Sequence, residues 1–226
     1  VDSLNLSIND GEIFGFLGPN GAGKTTTIKL LTGILKADEG AVSVNGIDIN
    51  TNPIEAKKTI SFVPDTPETF SKLKASEYLN FIADVYKIPT DIRQERITEY
   101  ASMFGIMDVL NARISSFSHG MKQKLFLTAS LVTDPHNWIL DEPMVGLDPD
   151  AAFKLKELMR KRASEGKTVF FSTHVMEVAE KLCDRIGIIK KGKLVFVGTQ
   201  SELKQKYGGT DDKSLEDIFL ELTAGE

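Results

Sequence analysis

The stretch "GPNGAGKTT", residues 18–26, decides the fold of this chain, and we call it the glycine loop. Its spacing is G-x-x-x-x-G-K-T, with Gly18, Gly23, Lys24 and Thr25 at the four defining positions. An apolar run, "EIFGFLG", leads into it and a helical pattern follows it, as this motif requires. Glycines let backbone N–H groups turn inward around an anion, and a helix N-terminus adds partial positive charge. The stretch therefore predicts a phosphate-binding loop rather than a glycine-rich turn that binds nothing.

The glycine loop predicts a nucleotide site that includes Mg²⁺. Lys24 is expected to reach the β- and γ-phosphates, and the Thr25 hydroxyl is expected to bind the metal. The predicted ATP-binding residues are Gly18, Pro19, Asn20, Gly21, Ala22, Gly23, Lys24, Thr25 and Thr26.

The composition is that of a globular protein without a basic surface. The chain has 226 residues, 41% of them hydrophobic, which is enough for a sizeable core, and its formal net charge is −5. The densest positive patch is "KKGK", residues 190–193, so DNA or RNA is disfavoured as a partner. The single cysteine, Cys183, favours a reducing compartment. No apolar run is long enough to span a bilayer, and the N-terminus does not read as a signal peptide.

Short apolar runs alternate with helical patterns, which favours a mostly parallel sheet covered by helices. Asn45-Gly46 and Lys191-Gly192 each separate two strand-like runs and predict hairpins. From about residue 66 to residue 134 the pattern is helical. We therefore predict an α/β fold with a mostly parallel core sheet, an antiparallel β subdomain and an inserted α-helical subdomain. With the glycine loop, this fold resembles the P-loop NTPase (RecA-like) class. Residues 1–226 would form one domain, with a core lobe (1–66 and 135–226) and a helical lobe (67–134).

Three helical patterns place apolar residues on one face, and we expect the two faces that contain aromatic residues to pack in the core. The three sets are Ile28, Leu31 and Leu35; Tyr78, Phe81, Ile82 and Val85; and Ile97, Tyr100, Ala101 and Phe104.

Two further strands end in polar residues that suit a phosphate site. The run "NWILDE" ends in Asp141 and Glu142, and the run "TVFFSTH" ends in His174. Ligands of open α/β sheets bind beyond the carboxyl ends of the strands. Asp141 is expected to hold Mg²⁺ through water, Glu142 to deprotonate an attacking water, and His174 to donate to the γ-phosphate. An acidic pair after a strand is often merely solvated, and the glycine loop is what makes this pair a candidate.

These motifs together resemble those of the ATP-binding subunit of ABC transporters, and the likeness covers nearly the whole chain. It includes the glycine loop, "WILDEP", "GLDP" (residues 146–149), "STH" and a signature that begins a helix of the helical lobe. The family signature is Leu-Ser-Gly-Gly-Gln. Here it reads Phe117-Ser118-His119-Gly120-Met121, so Ser118 and Gly120 are kept, whereas His119 replaces a Gly and Met121 replaces the Gln. We call residues 118–121 the signature stretch.

The resemblance implies a head-to-tail dimer, either of identical or of different subunits, with two ATP molecules between the subunits. Ser118 and the Gly120 N–H would then contact the γ-phosphate of the ATP on the opposite subunit's glycine loop. Asp148, in "GLDP", would pass signals across the interface. The adenine-stacking aromatic residue of the family would lie before Val1.

One departure from the family concerns the residue after the strand "TISFV". The family usually has Gln there, and this chain has Asp65. A carboxylate can bind Mg²⁺ or water but cannot donate as an amide does. An acid at this position resembles the branch that serves two-gene (ABC-2-like) exporters.

The resemblance implies a subunit that hydrolyses ATP, bound with Mg²⁺, to power a separate transmembrane permease, for export, at the cytoplasmic face of the membrane. Phe70 and Tyr78 would either contact the permease or pack in the core. One alternative is a soluble ABC-type ATPase acting on nucleic acid or ribosomes, although the chain lacks the coiled-coil insertion or second cassette of such proteins. Another alternative, left open by His119 and Met121, is a regulatory subunit that binds ATP without hydrolysing it.

Overall fold

The computed structural model describes residues 1–65, 70–208 and 213–224. Its strands fall where the apolar runs predict them. They are β1 (Ile13–Leu17), β2 (Ser43–Val44), β3 (Ile47–Asp48), β4 (Ile60–Val63), β5 (Asn137–Leu140), β6 (Thr168–Thr173), β7 (Arg185–Lys190) and β8 (Lys193–Gly198).

Six of these strands form one sheet, in the order β4-β5-β6-β1-β7-β8. Neighbours from β4 to β7 are parallel, and β8 pairs with β7 in the antiparallel sense. A separate antiparallel pair, β2 with β3, turns at Asn45 and Gly46, whose φ angles of 51° and 74° suit a tight hairpin. The predicted α/β class, the mostly parallel core sheet and both hairpins are confirmed.

The helices connect and cover these strands. They are α1 (Lys24–Leu31), α2 (Pro53–Lys58), α3 (Ala75–Val85), α4 (Thr90–Met103), α5 (His119–Val132), α6 (Pro149–Ser164), α7 (Met176–Leu182), α8 (Gln200–Tyr207) and α9 (Leu215–Ala224). Helices α3 to α5 lie between β4 and β5 in the chain, within the predicted helical lobe. The predicted boundary at residues 66 and 67, and residues 209–212 of the predicted loop before α9, lie outside the described residues.

Alternate residues of the strands pack on opposite faces of the sheet. Trp138, Leu140 and Phe171 face a core shared with α3, α4, α5 and α6. Ile139 and Phe170 face the opposite core, which includes Ile28 of α1. Burial on both faces explains why the strands read as continuous apolar runs. Within the described ranges, no helix is long and apolar enough to cross a membrane.

The first helix is shorter than its apolar pattern predicts. Helix α1 ends at Leu31, and Leu35 lies beyond it with 44% of its surface exposed, so the prediction that this helix extends through Leu35 is wrong. Gly33 has a φ of 64°, its N–H donates to the Leu30 carbonyl, and the Ile34 N–H donates to the Lys29 carbonyl. This pair of hydrogen bonds is a Schellman motif, which ends the helix one turn before the apolar pattern does.

The apolar face predicted for α3 is only partly buried. The core-facing stripe runs through Ala75, Leu79 and Ala83 together with Tyr78, whereas Phe81 and Val85 are 43% and 59% exposed. The prediction that Phe81 and Val85 pack in the core is therefore wrong. Small alanines at the helix contacts let α3 approach the helices beneath it and leave these larger side chains on the neighbouring face. The face predicted for α4 is confirmed, since Ile97, Ala101 and Phe104 are buried and Tyr100 packs against the same core.

Candidate functional site

The predicted site residues of the core lobe meet at one edge of the sheet. Strands β1, β4, β5 and β6 are parallel, so their carboxyl ends point to the same side. The glycine loop follows β1, Asp141 and Glu142 follow β5, and His174 follows β6. The topology therefore brings together residues that are more than 110 positions apart in sequence.

Lys24 lies folded against its own loop. Its Nζ donates to the carbonyl oxygens of Gly18 at 2.6 Å and Pro19 at 3.3 Å, and its side chain is only 7% exposed. Nζ also lies 3.4 Å from Oε1 of Glu142. A buried ammonium that is held by two carbonyl groups and one carboxylate is already positioned at the mouth of the loop.

The loop backbone is shaped by residues without side-chain bulk. Gly23 precedes α1 with a φ of 110°, a conformation that glycine adopts without strain. At Gly18 an added Cβ would lie 2.5 Å from the Ile189 carbonyl oxygen, so only glycine fits there. The Ala22 N–H donates to the Pro19 carbonyl at 3.1 Å and closes the turn. Asn20 and Gly21 are exposed at its tip, and Thr26 is exposed in the first turn of α1.

Asp141 is fixed by hydroxyl groups on both sides. The Thr25 hydroxyl donates to its Oδ2 at 2.7 Å, and the Ser172 hydroxyl donates to its Oδ1. Burial raises the pKa of Asp141, the hydrogen bonds from Ser172 and Thr25 oppose that rise, and the charges of Asp65 and Glu142 add to it. Thr25 and Asp141 are both predicted metal-binding residues, and the structure brings these two side chains into direct contact.

Glu142 connects Lys24 to His174. Its Oε2 lies 3.0 Å from Nδ1 of His174, and its Oε1 faces Lys24. Among the described residues, Oε1 is buried without a hydrogen-bond partner. The backbone of Glu142 has a φ of 47°, in the left-handed region, which costs about 1–3 kcal/mol for a residue other than glycine. His174 is half exposed, so its ring can face both the carboxylate and a ligand.

Asp65 lies two residues beyond the end of β4 and is exposed. Its charge raises the pKa of Asp141, which places the two carboxyl groups within electrostatic reach of each other. An acid at this position therefore adds negative charge to the site.

The residues present fit a triphosphate with Mg²⁺. The orphaned Oε1 of Glu142 has an unfilled acceptor position in the site, and Thr25 and Asp141 offer the oxygen ligands that Mg²⁺ prefers. No cluster of three or more His, Cys, Asp or Glu side chains that could hold a metal occurs within residues 1–65, 70–208 and 213–224. A cation bound by a hydroxyl, one carboxylate and the phosphates of a nucleotide matches this set, because Mg²⁺ usually has few protein ligands.

The signature stretch begins α5, as predicted. Ser118 is the N-cap of that helix, and its hydroxyl accepts from the Met121 N–H at 3.3 Å. Ser118 and His119 are exposed, and Gly120 and Met121 are partly buried. The free N–H groups of an exposed, capped helix start can bind an anion.

The signature stretch packs against the loop that follows Glu142, residues 143–148, which we call the 143–148 segment. A Cβ at Gly120 would lie 2.4 Å from the Gly146 carbonyl oxygen, and a Cβ at Gly146 would lie 2.4 Å from Cδ2 of His119. The two glycines are thus needed for this close approach. Because His119 occupies the space above Gly146, its replacement of the family Gly is compatible with the fold.

Polar contacts join the same two elements. Asp148 caps α6 through the Ala151 N–H at 3.0 Å, and its Oδ2 pairs with Nζ of Lys124 at 2.5 Å. The hydrogen bond from Lys124, together with the Ala151 N–H, lowers the pKa of Asp148 to about 2. The buried Gln123 donates to the Pro143 carbonyl at 3.4 Å. The start of α5 is therefore attached to the segment that directly follows Glu142.

We expect Gly120→Ala to lower the free energy of unfolding by about 1–3 kcal/mol, because its methyl group overlaps a backbone carbonyl that cannot rotate away. An alanine inside a helix usually has the opposite effect and stabilises by about 0.5–1 kcal/mol relative to glycine. Urea denaturation monitored by circular dichroism measures the difference. A rise in the unfolding free energy would show that the helix start does not touch the 143–148 segment.

The sequence alone did not single out Lys124, Gln123 or Ser172. Ser172 follows Phe171, which pairs with Leu140, so the strand register places Ser172 beside Asp141. A sequence pattern predicts that a strand exists but does not give this register. Lys124 lies on the same face of α5 as Gly120, an i, i+4 relation that would have linked it to the signature stretch.

The comparisons with known proteins agree on one family. Residues 1–145 match the family described as "ABC transporter". The chain is 36% identical over 223 residues to the linearmycin resistance ATP-binding protein LnrL of Bacillus subtilis, covering 99% of this chain and 70% of that protein. A solved structure described as the ATP binding subunit of an ABC transporter superposes with a TM-score of 0.91 at 31% identity, covering 96% of this chain and 90% of that one.

A second solved structure is cbiO1 from Clostridium perfringens, described as part of the ABC transporter complex cbiONQ. Its TM-score is 0.72 at 25% identity, with 97% of this chain and 90% of that one covered. Several relatives are longer than this chain, which spans 56 to 64% of the length of three others.

Proposed function

Because this chain belongs to the ABC transporter family, as an ATP-binding subunit with the ATP hydrolase activity of that family, we propose that its ATP hydrolysis drives a separate membrane permease. The observation that supports this proposal most strongly is the connected series His174, Glu142, Lys24, in which each side chain lies within 3.4 Å of the next. An ammonium, a partly buried carboxylate and an imidazole at the mouth of a glycine loop are the groups that phosphoryl transfer to water requires.

The side chains divide the chemistry of hydrolysis among them. Lys24 neutralises the charge of the β- and γ-phosphates. Glu142 accepts a proton from the attacking water through the orphaned Oε1 as the new P–O bond forms. The bond to the β-phosphate oxygen breaks, ADP leaves and the proton passes to solvent. His174, oriented by Oε2 of Glu142, donates to the γ-phosphate.

Thr25 and Asp141 would hold Mg²⁺, which neutralises charge on the β- and γ-phosphate oxygens when it is bound. Thr25 lies at the first turn of α1, so its hydroxyl already faces the glycine loop, and its contact with Asp141 places both oxygens together. Asp65 adds a second carboxylate near this pair and would bind the metal or its water.

We infer a head-to-tail dimer, because one chain presents its glycine loop on the core lobe and its signature stretch on the helical lobe. Ser118, His119, Gly120 and Met121 begin a helix whose exposed N-terminus would cover the ATP of a second copy or of a different subunit. In the same proposal, Asp148 passes signals between the two ATP sites of the dimer. Its ion pair with Lys124 connects it to α5, the helix that the signature stretch begins.

An exposed aromatic patch on the helical lobe is our candidate for contact with the permease. Phe70 and Phe81 are 40% and 43% exposed, their ring centroids are 5.4 Å apart, and Val85 lies on the same helix as Phe81. Tyr78 is buried, so its alternative role in the core holds, and it stacks between Phe70 and Phe126 of α5 at 5.5 and 5.0 Å. A force that the permease applies to the aromatic patch would be transmitted to α5 through the contacts of Phe70, Tyr78 and Phe126. Because the signature stretch begins α5, the force would reach it as well.

Substitution of Phe81 tests this contact. We expect Phe81→Glu to abolish co-purification of a membrane-spanning protein, because a carboxylate cannot be buried in an apolar interface without a partner. The ATPase rate of the isolated subunit should change less than about twofold, since surface substitutions away from a site are mild. Affinity purification from detergent extracts, with mass spectrometry of the retained proteins, measures the first effect.

Met107→Glu is the matched control, because Met107 is 42% exposed and belongs to the helical lobe but not to the aromatic patch. It should leave co-purification unchanged. Equal retention of the membrane protein by wild type and Phe81→Glu would place the permease contact elsewhere.

The finer parts of the proposal follow from the family. The permease would be a separate subunit, and the complex would lie at the cytoplasmic face of the cell membrane. Export rather than import is the direction we propose, on the basis of Asp65 and of the name of the resistance protein LnrL. The division into core lobe and helical lobe gives each proposed half-site its own scaffold.

A further inference from the structure

Ser172 lies between the two acidic residues of the site. It is fully buried in β6, and its hydroxyl donates to Oδ1 of Asp141. The Oγ atom of Ser172 also accepts from the Glu142 N–H at 3.0 Å. Ser172 therefore contacts both acidic residues from its buried position in β6.

The two hydrogen bonds restrict different degrees of freedom. Thr25 holds Oδ2 of Asp141 and Ser172 holds Oδ1, so the carboxylate plane is fixed from both ends. The bond from the Glu142 N–H stabilises a backbone in the left-handed region, where a residue other than glycine is strained. The backbone conformation of Glu142 sets the direction in which its side chain points.

We propose that Ser172 is a positioning residue for ATP hydrolysis, which sets the geometry of Asp141 and Glu142 together. The proposal rests on the roles proposed above for these two acids. A hydroxyl has one proton to donate and lone pairs to accept, so a single serine can serve both acids at once. Alanine at this position would leave Oδ1 and the Glu142 N–H without their partner, and the strained backbone of Glu142 would be free to relax.

A second buried serine provides a control for loss of structure. Ser130 is 4% exposed, its hydroxyl donates to the Leu127 carbonyl at 2.7 Å, and it accepts from Nε1 of Trp138 at 2.9 Å. It has the same number of hydrogen bonds as Ser172 and a similar burial, but it lies at the far end of α5 and touches no predicted site residue. Ser130→Ala therefore removes the same kind of group from the core.

The experiment compares Ser172→Ala, Ser172→Thr and Ser130→Ala with the wild type. Thermal unfolding without nucleotide should show a similar loss of stability for the two alanine variants. Only Ser172→Ala should lower kcat, by about tenfold or more, because positioned acid–base groups contribute about 10²–10⁴-fold. Calorimetric titration with ATP in EDTA and with ATP plus Mg²⁺ should show that the affinity gained from Mg²⁺ falls at least about fivefold in Ser172→Ala alone. Ser172→Thr keeps the hydroxyl and should restore both quantities.

If Ser172→Ala is too unstable to purify, Ser172→Cys replaces it, because sulfur fills the space but is a weak donor and acceptor. Equal kcat and equal Mg²⁺ dependence in Ser172→Ala and Ser130→Ala would overturn the inference. The proposed function would still stand in that case if Glu142→Gln is inactive. Wild-type turnover by Glu142→Gln would instead remove the proposed function itself.

Discussion

Glu142→Gln is expected to reduce the rate of ATP hydrolysis at least about 100-fold and to trap a dimer that holds ATP, because an amide cannot accept the proton of the attacking water. The substitution keeps the size of the side chain, and its amide can still hydrogen-bond to Nδ1 of His174. It removes the charge that faces Lys24 at 3.4 Å, which leaves Nζ free to hold phosphate. Binding should therefore survive while the bond-breaking step is lost.

Sizing chromatography with and without ATP, together with a phosphate-release assay, measures both halves of this expectation. Glu157→Gln is the control, since Glu157 is exposed on α6, where its carboxylate pairs with Arg160. It should run as the wild type does and turn over at the wild-type rate. A Glu142→Gln protein that stays monomeric in ATP, or that hydrolyses ATP normally, would defeat the assignment of Glu142.

Much of the fold follows from short-range signals in the sequence. The glycine loop, the Asn45-Gly46 turn and the apolar strand runs each specify local structure, and each is found where it was predicted. The end of α1 was not predicted, because Gly33 ends the helix while the apolar period continues to Leu35. Periodicity reports which residues are apolar, whereas a glycine in the left-handed region determines where the helix stops.

The sequence predicts only part of the candidate site. Lys24, Asp141, Glu142 and His174 each follow a recognisable strand, and the rule that parallel strands end at one edge predicts that they meet. Contacts that depend on strand register or on the packing of separate elements could not be predicted from the sequence. The placement of Ser172 needs the pairing of β5 with β6, and the contact of Gly120 with Gly146 needs the position of α5 against the 143–148 segment.

The exposed side chains of α3 show again that a sequence pattern does not determine how a helix packs. Tyr78, Phe81 and Val85 have helical spacing, and their apolar character alone favours burial. Packing against α4 and α5 uses the alanine stripe, so that only Tyr78 of these three is buried. An apolar residue in a helical pattern can thus serve the core or an interface, and the choice depends on the rotation of the helix.

Lys24→Ala is expected to weaken ATP binding at least about 100-fold, which corresponds to about 2.7 kcal/mol, because each charged hydrogen bond to phosphate contributes about 1.5–3 kcal/mol. The Lys24 side chain is 7% exposed, and its Nζ is held at the mouth of the glycine loop by the Gly18 carbonyl. Isothermal calorimetry with ATP and Mg²⁺ measures the affinity. Lys29→Ala removes a positive charge from the last turn of the same helix and should bind ATP as the wild type does.

Two further measurements separate lost binding from lost structure. Lys24→Ala leaves the Gly18 and Pro19 carbonyl oxygens without the ammonium, so we expect a modest fall in the melting temperature with an unchanged far-ultraviolet spectrum. Lys24→Arg keeps the charge but is not expected to restore the affinity, since a planar guanidinium cannot replace a compact ammonium inside a closed loop. Unchanged affinity in a folded Lys24→Ala protein would mean that the glycine loop does not bind the triphosphate, because the positive charge of Lys24 would then not be needed for binding.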